Sequence, residues 1–285
     1  MALPWDFDSA TTPTIYHYTS ADAAVSMVKN RSIWLSEYTA MNDASEFVYA
    51  RDRLLALLRD GKITVGIPAR LCLIAAIEGL AQRTGLVLGS LSARSDDLSQ
   101  WRTYASNAKG CVLGVDAGYL EHDAGVAIRT VLYEESQVER LLCSVLEVLQ
   151  QQYTDDPSDV ETLVDYARRA AIDLFNIKHP SFADEREIRI ARMLIRADDG
   201  SLSDPGGNRT DGSSVPSLAV AERVGGFGST KYVSLPLSRP DGSNAIISVG
   251  LGTMMSPPDR ARFRAVFEAL GLTVWQSSLP YRVAT

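Results

Sequence analysis

The chain has only three cysteines, and they are far apart: Cys72, Cys111 and Cys143. Each sits in an apolar run, and no two form a CxxC pair. That excludes a disulfide framework or a thiol-ligated zinc site and leaves buried free thiols in a reducing cytoplasm as the expectation. No cluster of residues has metal-ligand spacing, so no metal site is assigned. Also missing are GxGxxG after a strand, GxxxxGK[ST], HExxH and GxSxG. Without them a Rossmann enzyme, a P-loop NTPase, a zincin or an α/β-hydrolase is not expected. No apolar run reaches the roughly 18 residues of a membrane span. The opening MALPWDFDSATTP has neither a basic nor an apolar signal region, so no secretory signal is expected.

What is present is ordinary for a globular protein: 285 residues, 46% hydrophobic and 22% charged. That suffices for a large core. A net charge of −7 disfavours a broad electrostatic grip on nucleic acid. Strand patterns fall at 14–18, 32–36, 86–92, 111–116, 126–133, 185–196, 231–237, 245–250 and 272–275. Helical patterns fall at 22–29, 44–59, 68–83, 98–106 and 259–270, and a helical hairpin at 135–153 and 159–176 turns at Asp155-Asp156-Pro157. Regular βαβ alternation is absent. The expected fold is therefore one α+β domain over 1–285, with a mixed, mainly antiparallel sheet, flanking helices and an inserted hairpin at about 134–176. Residues 198–217, rich in Gly, Pro, Ser and Asp, read as a long flexible loop.

The most charged stretch is Lys178-His179-Pro180-Ser181-Phe182-Ala183-Asp184-Glu185-Arg186-Glu187-Ile188-Arg189-Ile190. Period-two alternation puts Ile188 and Ile190 on one face of a strand and Glu185, Glu187 and Arg189 on the other. Such a face either meets water, with Glu187 in an ion pair with Arg189 or Arg186, or lines a site. Polar groups that could converge on it lie elsewhere. His17 and Thr19 share one face of the first strand, and Tyr16 and Tyr18 the other. Asn42 precedes Asp43 and Glu46, which have capping-box spacing. Asp97 and Gln100 repeat that spacing, and Gln100, Trp101 and Tyr104 share a helix face.

Taken together, YHYT, SIWLS and MNDASE at 15–50, SLSARSDDLSQWRTYASNAKGCVLGVD at 90–116, VLYEE at 131–135, KHPSFADEREIRI at 178–190 and ISVGLG at 247–252 resemble a widespread bacterial family known only as domain of unknown function 2971. The set runs in family order from about residue 15 to 276 and names no reaction. A second resemblance, to the ADP-ribosyltransferase superfamily, bears on chemistry. Those enzymes hold NAD with a histidine or arginine on the first core strand, and a glutamate, often the second of an E-x-E pair, orients the nicotinamide ribose. His17 and Glu185-Arg186-Glu187 match that pattern, and Ser90-Leu91-Ser92 is similar to the small hydroxyl residues near the cofactor. The bacterial transferases that modify nucleic acid open with a similar His-aromatic-Thr segment.

The resemblance implies an NAD-using ADP-ribosyltransferase or NAD glycohydrolase, a toxin or phage-defence effector. Its catalytic carboxylate would be Glu187, with Glu185 positioning an acceptor, nucleic acid or protein. NAD would be held by His17, Tyr18, Thr19, Asn42, Gln100, Trp101 and Tyr104. Two alternatives stand beside it: a non-catalytic sensing or binding module of a defence system, and a metal-dependent nuclease using the Asp and Glu clusters.

Overall fold

The computed structural model describes residues 6–38, 45–59, 66–225 and 228–281. In chain order the elements begin β1 (Thr14–Thr19), α1 (Ala21–Asn30), β2 (Ser32–Glu37), α2 (Ser45–Arg59), α3 (Ile67–Arg83), β3 (Thr84–Ser92) and α4 (Leu98–Thr103). Next are β4 (Cys111–Asp116), α5 (Ala117–His122), β5 (Ala127–Thr130), α6 (Glu135–Asp155), α7 (Val160–Asp173) and β6 (Glu187–Arg196). The two-residue strands β7 (Leu202–Ser203), β8 (Gly207–Asn208) and β9 (Ser214–Val215) follow. β10 (Val220–Gly225), β11 (Gly228–Pro236), β12 (Ile246–Leu251), α8 (Pro257–Ala269) and β13 (Thr273–Gln276) complete the order. The fold is α+β, as the element order implies. Among the described residues every strand pairing is antiparallel except β12 with β13.

The sheet is organised around β3. Along one edge β3 pairs with β6 continuously from Thr84↔Ile195 to Ser92↔Glu187. Its other edge is shared. β2 takes Val87 and Leu88, β1 takes Ser92, and Gly89 to Leu91 lie between the two. The sheet therefore forks there, into β2–β11–β10 on one side and β1–β4–β12–β13 on the other. Gly89 sits where a Cβ would come within 2.8 Å of the Leu35 side chain, so the close approach of β2 needs a glycine.

Two cores flank β3 and β6. Alternate residues Val87 and Leu91 of β3 and Ile188, Ile190 and Leu194 of β6 face one core, with Ile15, Val28, Leu35, Leu113 and Phe267. Leu86 and Leu88 face the other, under α2, α3, α6 and α7, with Leu54, Leu73, Leu142 and Leu163. The helical hairpin, expected at 134–176, forms part of this second layer as α6 and α7. A third, smaller cluster packs Tyr18, Trp101, Ala105, Ala108 and Val112.

One expectation needs correction, and one segment has a feature the sequence did not show. Within residues 198–217, Asp204 is a buried anchor. Its buried carboxylate accepts from Arg192 Nε at 2.9 Å, Gly206 N at 3.1 Å and Leu218 N at 2.6 Å. The strand expected at 126–133 stops at Thr130, and α5 and β10 went unread. Cys111 is buried and Cys72 and Cys143 are partly buried, all three as free thiols. Among the described residues no helix is long and apolar enough to cross a membrane.

Candidate functional site

A cleft of about 1020 Å³ opens at the fork of the sheet. That is at the upper end of the range for small-molecule and cofactor sites. β1 supplies Tyr16, His17, Tyr18 and Thr19 to its walls, and β3 supplies Leu88 to Leu91. α4 adds Ser99, Gln100, Thr103 and Tyr104, and the far wall carries Lys178, Phe182, Glu185 and Glu187. Trp34 of β2 and Arg223 of β10 form the rim, the guanidinium 5.4 Å from the indole centroid.

His17 fills the gap left by the fork. Its Nδ1 lies 3.2 Å from the carbonyl oxygen of Ser90, on the stretch of β3 between its two neighbours. A carbonyl can only accept, so Nδ1 carries the proton and, in the neutral ring, Nε2 is an acceptor. Burial lowers the pKa of His17, against the opposing pull of the Ser90 carbonyl, which favours that neutral ring.

Asp97 caps α4, accepting from Ser99 N at 2.9 Å and Gln100 N at 3.3 Å. This aims Gln100 into the cleft. Its side chain is 6% exposed, and its amide makes no hydrogen bond among the described residues. The Ser90 hydroxyl is buried beside the Glu187 carboxylate, whose charged form it favours. The Gln100 amide is therefore the group left to meet a ligand. Tyr104 reaches across the cleft and donates from its hydroxyl to Glu185 Oε1 at 2.8 Å. Burial, then the Glu185 charge, raise its pKa, so it stays a phenol.

The charged wall is a compact tetrad. Lys178 Nζ stands 2.5 Å from Glu185 Oε2 and 3.3 Å from Glu187 Oε2. Arg189 donates from Nε to Glu187 Oε1 at 2.8 Å and from Nη2 to Oε2 at 3.0 Å, a two-pronged pair. Glu187 is 4% exposed and Arg189 2%. Burial alone would push the Glu187 carboxyl up, but Arg189 and then Lys178 hold it at about 2. Tyr133 braces the strand start by accepting from Glu187 N at 3.0 Å.

This geometry revises the sequence reading at several points. Glu185 and Glu187 do not share a strand face. Glu185 ends the 3-10 turn Pro180–Glu185, which His179 caps, and Arg186 at φ 42° swings the chain into β6. A non-glycine residue in the left-handed region is strained by about 1 kcal/mol or more, and such strain gathers at functional sites. The polar face of β6 is not solvated at its start, where Glu187 and Arg189 are buried and Arg189 also donates to Phe175 O. Trp101 is fully buried outside the cleft, its Nε1 donating to Asp96 Oδ1 at 2.7 Å and its ring edge-on to Tyr18 at 5.1 Å. Tyr18 lines the cleft, but its hydroxyl anchors the approach to α4, donating to Arg94 O and accepting from Asp97 N. Asn42 and Asp43 lie outside the described residues. His17, Thr19, Gln100, Tyr104, Glu185 and Glu187 are brought together in one cleft. Lys178, the cation between the two glutamates, Trp34 and Arg223 were missed as site residues. Lys178 stood in the charged stretch, but its distance from Glu187 in sequence hid the pairing.

Residues 100–190 match the model of a family of proteins of unknown function, DUF2971. The DUF2971 match covers less than half of the chain, running from Gln100 of α4 to Ile190 of β6. It therefore contains Tyr104, Lys178, Glu185 and Glu187, while His17 and Thr19 lie before it. No curated protein and no solved structure matches the chain.

Proposed function

We propose that the protein is an NAD-using enzyme, an ADP-ribosyltransferase or NAD glycohydrolase, acting in the forked-sheet cleft. The observation that carries the reading is the convergence of His17, Gln100, Tyr104 and Glu185 from three separate segments on one cofactor-sized cleft. The unspent Gln100 amide suits a ligand rich in amide and hydroxyl groups, as a dinucleotide is. Cleavage of the nicotinamide–ribose bond leaves positive charge on the ribose while nicotinamide departs with the bonding pair. Water or an acceptor hydroxyl or amine then adds to the same carbon and loses a proton. A fixed carboxylate helps most at that transition state.

Between the two carboxylates, Glu185 is the better placed to meet a ligand. Its side chain is 16% exposed against 5% for Glu187, and one of its oxygens takes only a neutral phenol. Glu187 is committed to Arg189 and Lys178 and acts as the positioning group that keeps Lys178 and the strand start in place. This reverses the assignment made on the sequence. An NAD-consuming activity would suit a toxin or phage-defence effector, and three free cysteines fit a cytoplasmic protein.

One observation favours a second reading, a non-catalytic sensing module: the two carboxylates are balanced by Lys178 and Arg189, leaving the cleft wall neutral. Such a module would bind NAD, or a partner, without turnover. Among the described residues no three His, Cys, Asp or Glu side chains are grouped to share a metal, so the nuclease alternative has no site there.

The deciding experiment measures NAD binding by calorimetry and nicotinamide release by chromatography on the purified protein. Wild type should bind NAD and release nicotinamide, and Glu185→Gln should lower release by roughly two to three orders of magnitude, as for loss of one preorganised electrostatic group. Binding without release in every condition selects the sensing module. Neither binding nor release sinks the NAD reading.

A further inference from the structure

A second cavity, of about 460 Å³, lies further along the same face of the sheet. It begins where β5, paired with β6 only as far as Ala191, leaves the edge at Arg192 and Met193 without a strand partner. Leu88 lines both cavities. So does the Glu187–Arg189 pair in effect: Glu187 belongs to the cleft, and Arg189 to the second cavity. Part of the lining is apolar, with Leu86, Leu88, Phe175, Ala191 and Met193.

Its polar lining is dominated by three guanidinium groups, and two of them hold unused donors. Arg192 is 4% exposed and donates from Nε to Asp204 and from Nη2 to Pro216 O, but its Nη1 is buried with no partner. Arg129 donates from Nη1 to Ile128 O at 2.9 Å, and its Nε is buried with no partner. A buried donor without an acceptor costs about 1–3 kcal/mol, more when charged. Guanidinium groups match carboxylate and phosphate oxygens in both charge and geometry. The acid in this lining is Asp173, whose carboxyl is pushed up by burial, with Arg129 pulling it down and Asp6 raising it further.

We propose that this cavity is a binding site for a small organic anion: a carboxylate or phosphate group that Arg129 and Arg192 hold, on an apolar body that packs against Phe175, Leu86 and Met193. The site is separate from the cleft and does not depend on the cleft's chemistry. Its occupant would share a wall with the cleft through Arg189.

The test uses the full chain and three probes at fixed ionic strength: phenyl phosphate, benzoate and the neutral isostere benzamide, titrated by calorimetry. At least one anion should bind saturably, and benzamide should bind roughly ten-fold or more weakly, the loss expected for charge-assisted hydrogen bonds. The stronger of the two anions tells phosphate from carboxylate. Arg129→Gln should lower the affinity by a similar factor. Ala127→Leu fills the cavity mouth without touching a charge, so it tests the site even if Arg129→Gln does not fold. His17→Ala, in the cleft, should leave anion binding unchanged. The proposal falls if neither anion binds, if benzamide binds as well as the anions, if Ala127→Leu binds them like wild type, or if His17→Ala abolishes binding, which would put the probe in the cleft.

Discussion

Glu187→Gln removes one charge from the tetrad and almost no volume. The two residues of the pair are buried, at 4% and 2% exposure, so Arg189 would be left in the interior with its counter-charge gone. Breaking a buried pair from one side costs roughly 3–5 kcal/mol. Proton linkage gives an independent figure. Moving a carboxyl from 4.5 to about 2 on folding is worth about 3 kcal/mol at neutral pH. The two agree, and about 3 kcal/mol is a large part of the 5–15 kcal/mol typical of a folded domain. Because the folded pKa is depressed, this stability is fully present above about pH 4.5 and is lost as pH falls towards 2. Urea denaturation of wild type and Glu187→Gln at a series of pH values measures it directly. The gap should be about 3 kcal/mol at pH 7 and should close steadily below pH 5. A gap under about 1 kcal/mol at pH 7, or one that acid does not close, would show that Arg189 and Lys178 do not hold Glu187 as described. The double variant Glu187→Leu/Arg189→Met should recover most of the loss, since replacing both partners by apolar groups removes the desolvation cost with the attraction.

Glu185→Gln, by contrast, leaves Lys178 its second carboxylate, Glu187, and should cost less stability than Glu187→Gln while lowering nicotinamide release; an equal loss of stability would make the residue structural. His17 should remain a neutral imidazole with its proton on Nδ1 at pH 6.5, because burial lowers its pKa; nitrogen chemical shifts of the ring would reveal titration at or above that pH and refute the placement. Asp204→Ala leaves buried Arg192 without its carboxylate and should cost roughly 3–5 kcal/mol; limited proteolysis should then cut within 198–217 much faster than in wild type. Cys111, its thiol pushed up to about 12 by burial and then by Asp22, should resist iodoacetamide until the protein unfolds; native labelling at that residue would contradict the packing of β4.

The class of fold was legible because long periodic segments carry their own signal. The run CVLGVD became β4 at Cys111–Asp116 without adjustment, and α6 and α7 fell where their apolar spacing put them. The fork was not legible. It depends on β2 pairing with the middle of β3 and β1 with its C-terminal end, and no local pattern in 84–92 says that one edge is divided. The anchor within residues 198–217 was hidden for a related reason. Glycine, proline and serine describe a chain that makes turns, and they say nothing of the buried carboxylate of Asp204, with partners at Arg192, Gly206 and Leu218.

The site shows where a period-two reading stops being sufficient. Alternation correctly separated Ile188 and Ile190 from Glu187 and Arg189. It could not say that the second face is covered as well. A polar residue in a strand is normally taken to face water, but at the start of β6 Glu187 and Arg189 are buried, while Met193 and Ile195 further along the same face reach solvent. Charges placed there must be matched within the protein or the strand could not be buried. Lys178, Arg189 and Glu187 meet that demand, which makes Glu187 a poor choice for a group that must answer to a ligand's charge. Glu185, two residues before the strand and beyond the strained Arg186, is freed from the ladder and faces Tyr104 across the cleft. The same burial that turns Glu187 into a structural ion makes Glu185 the available one, and this follows from the covered sheet face, which neither glutamate's local sequence contains.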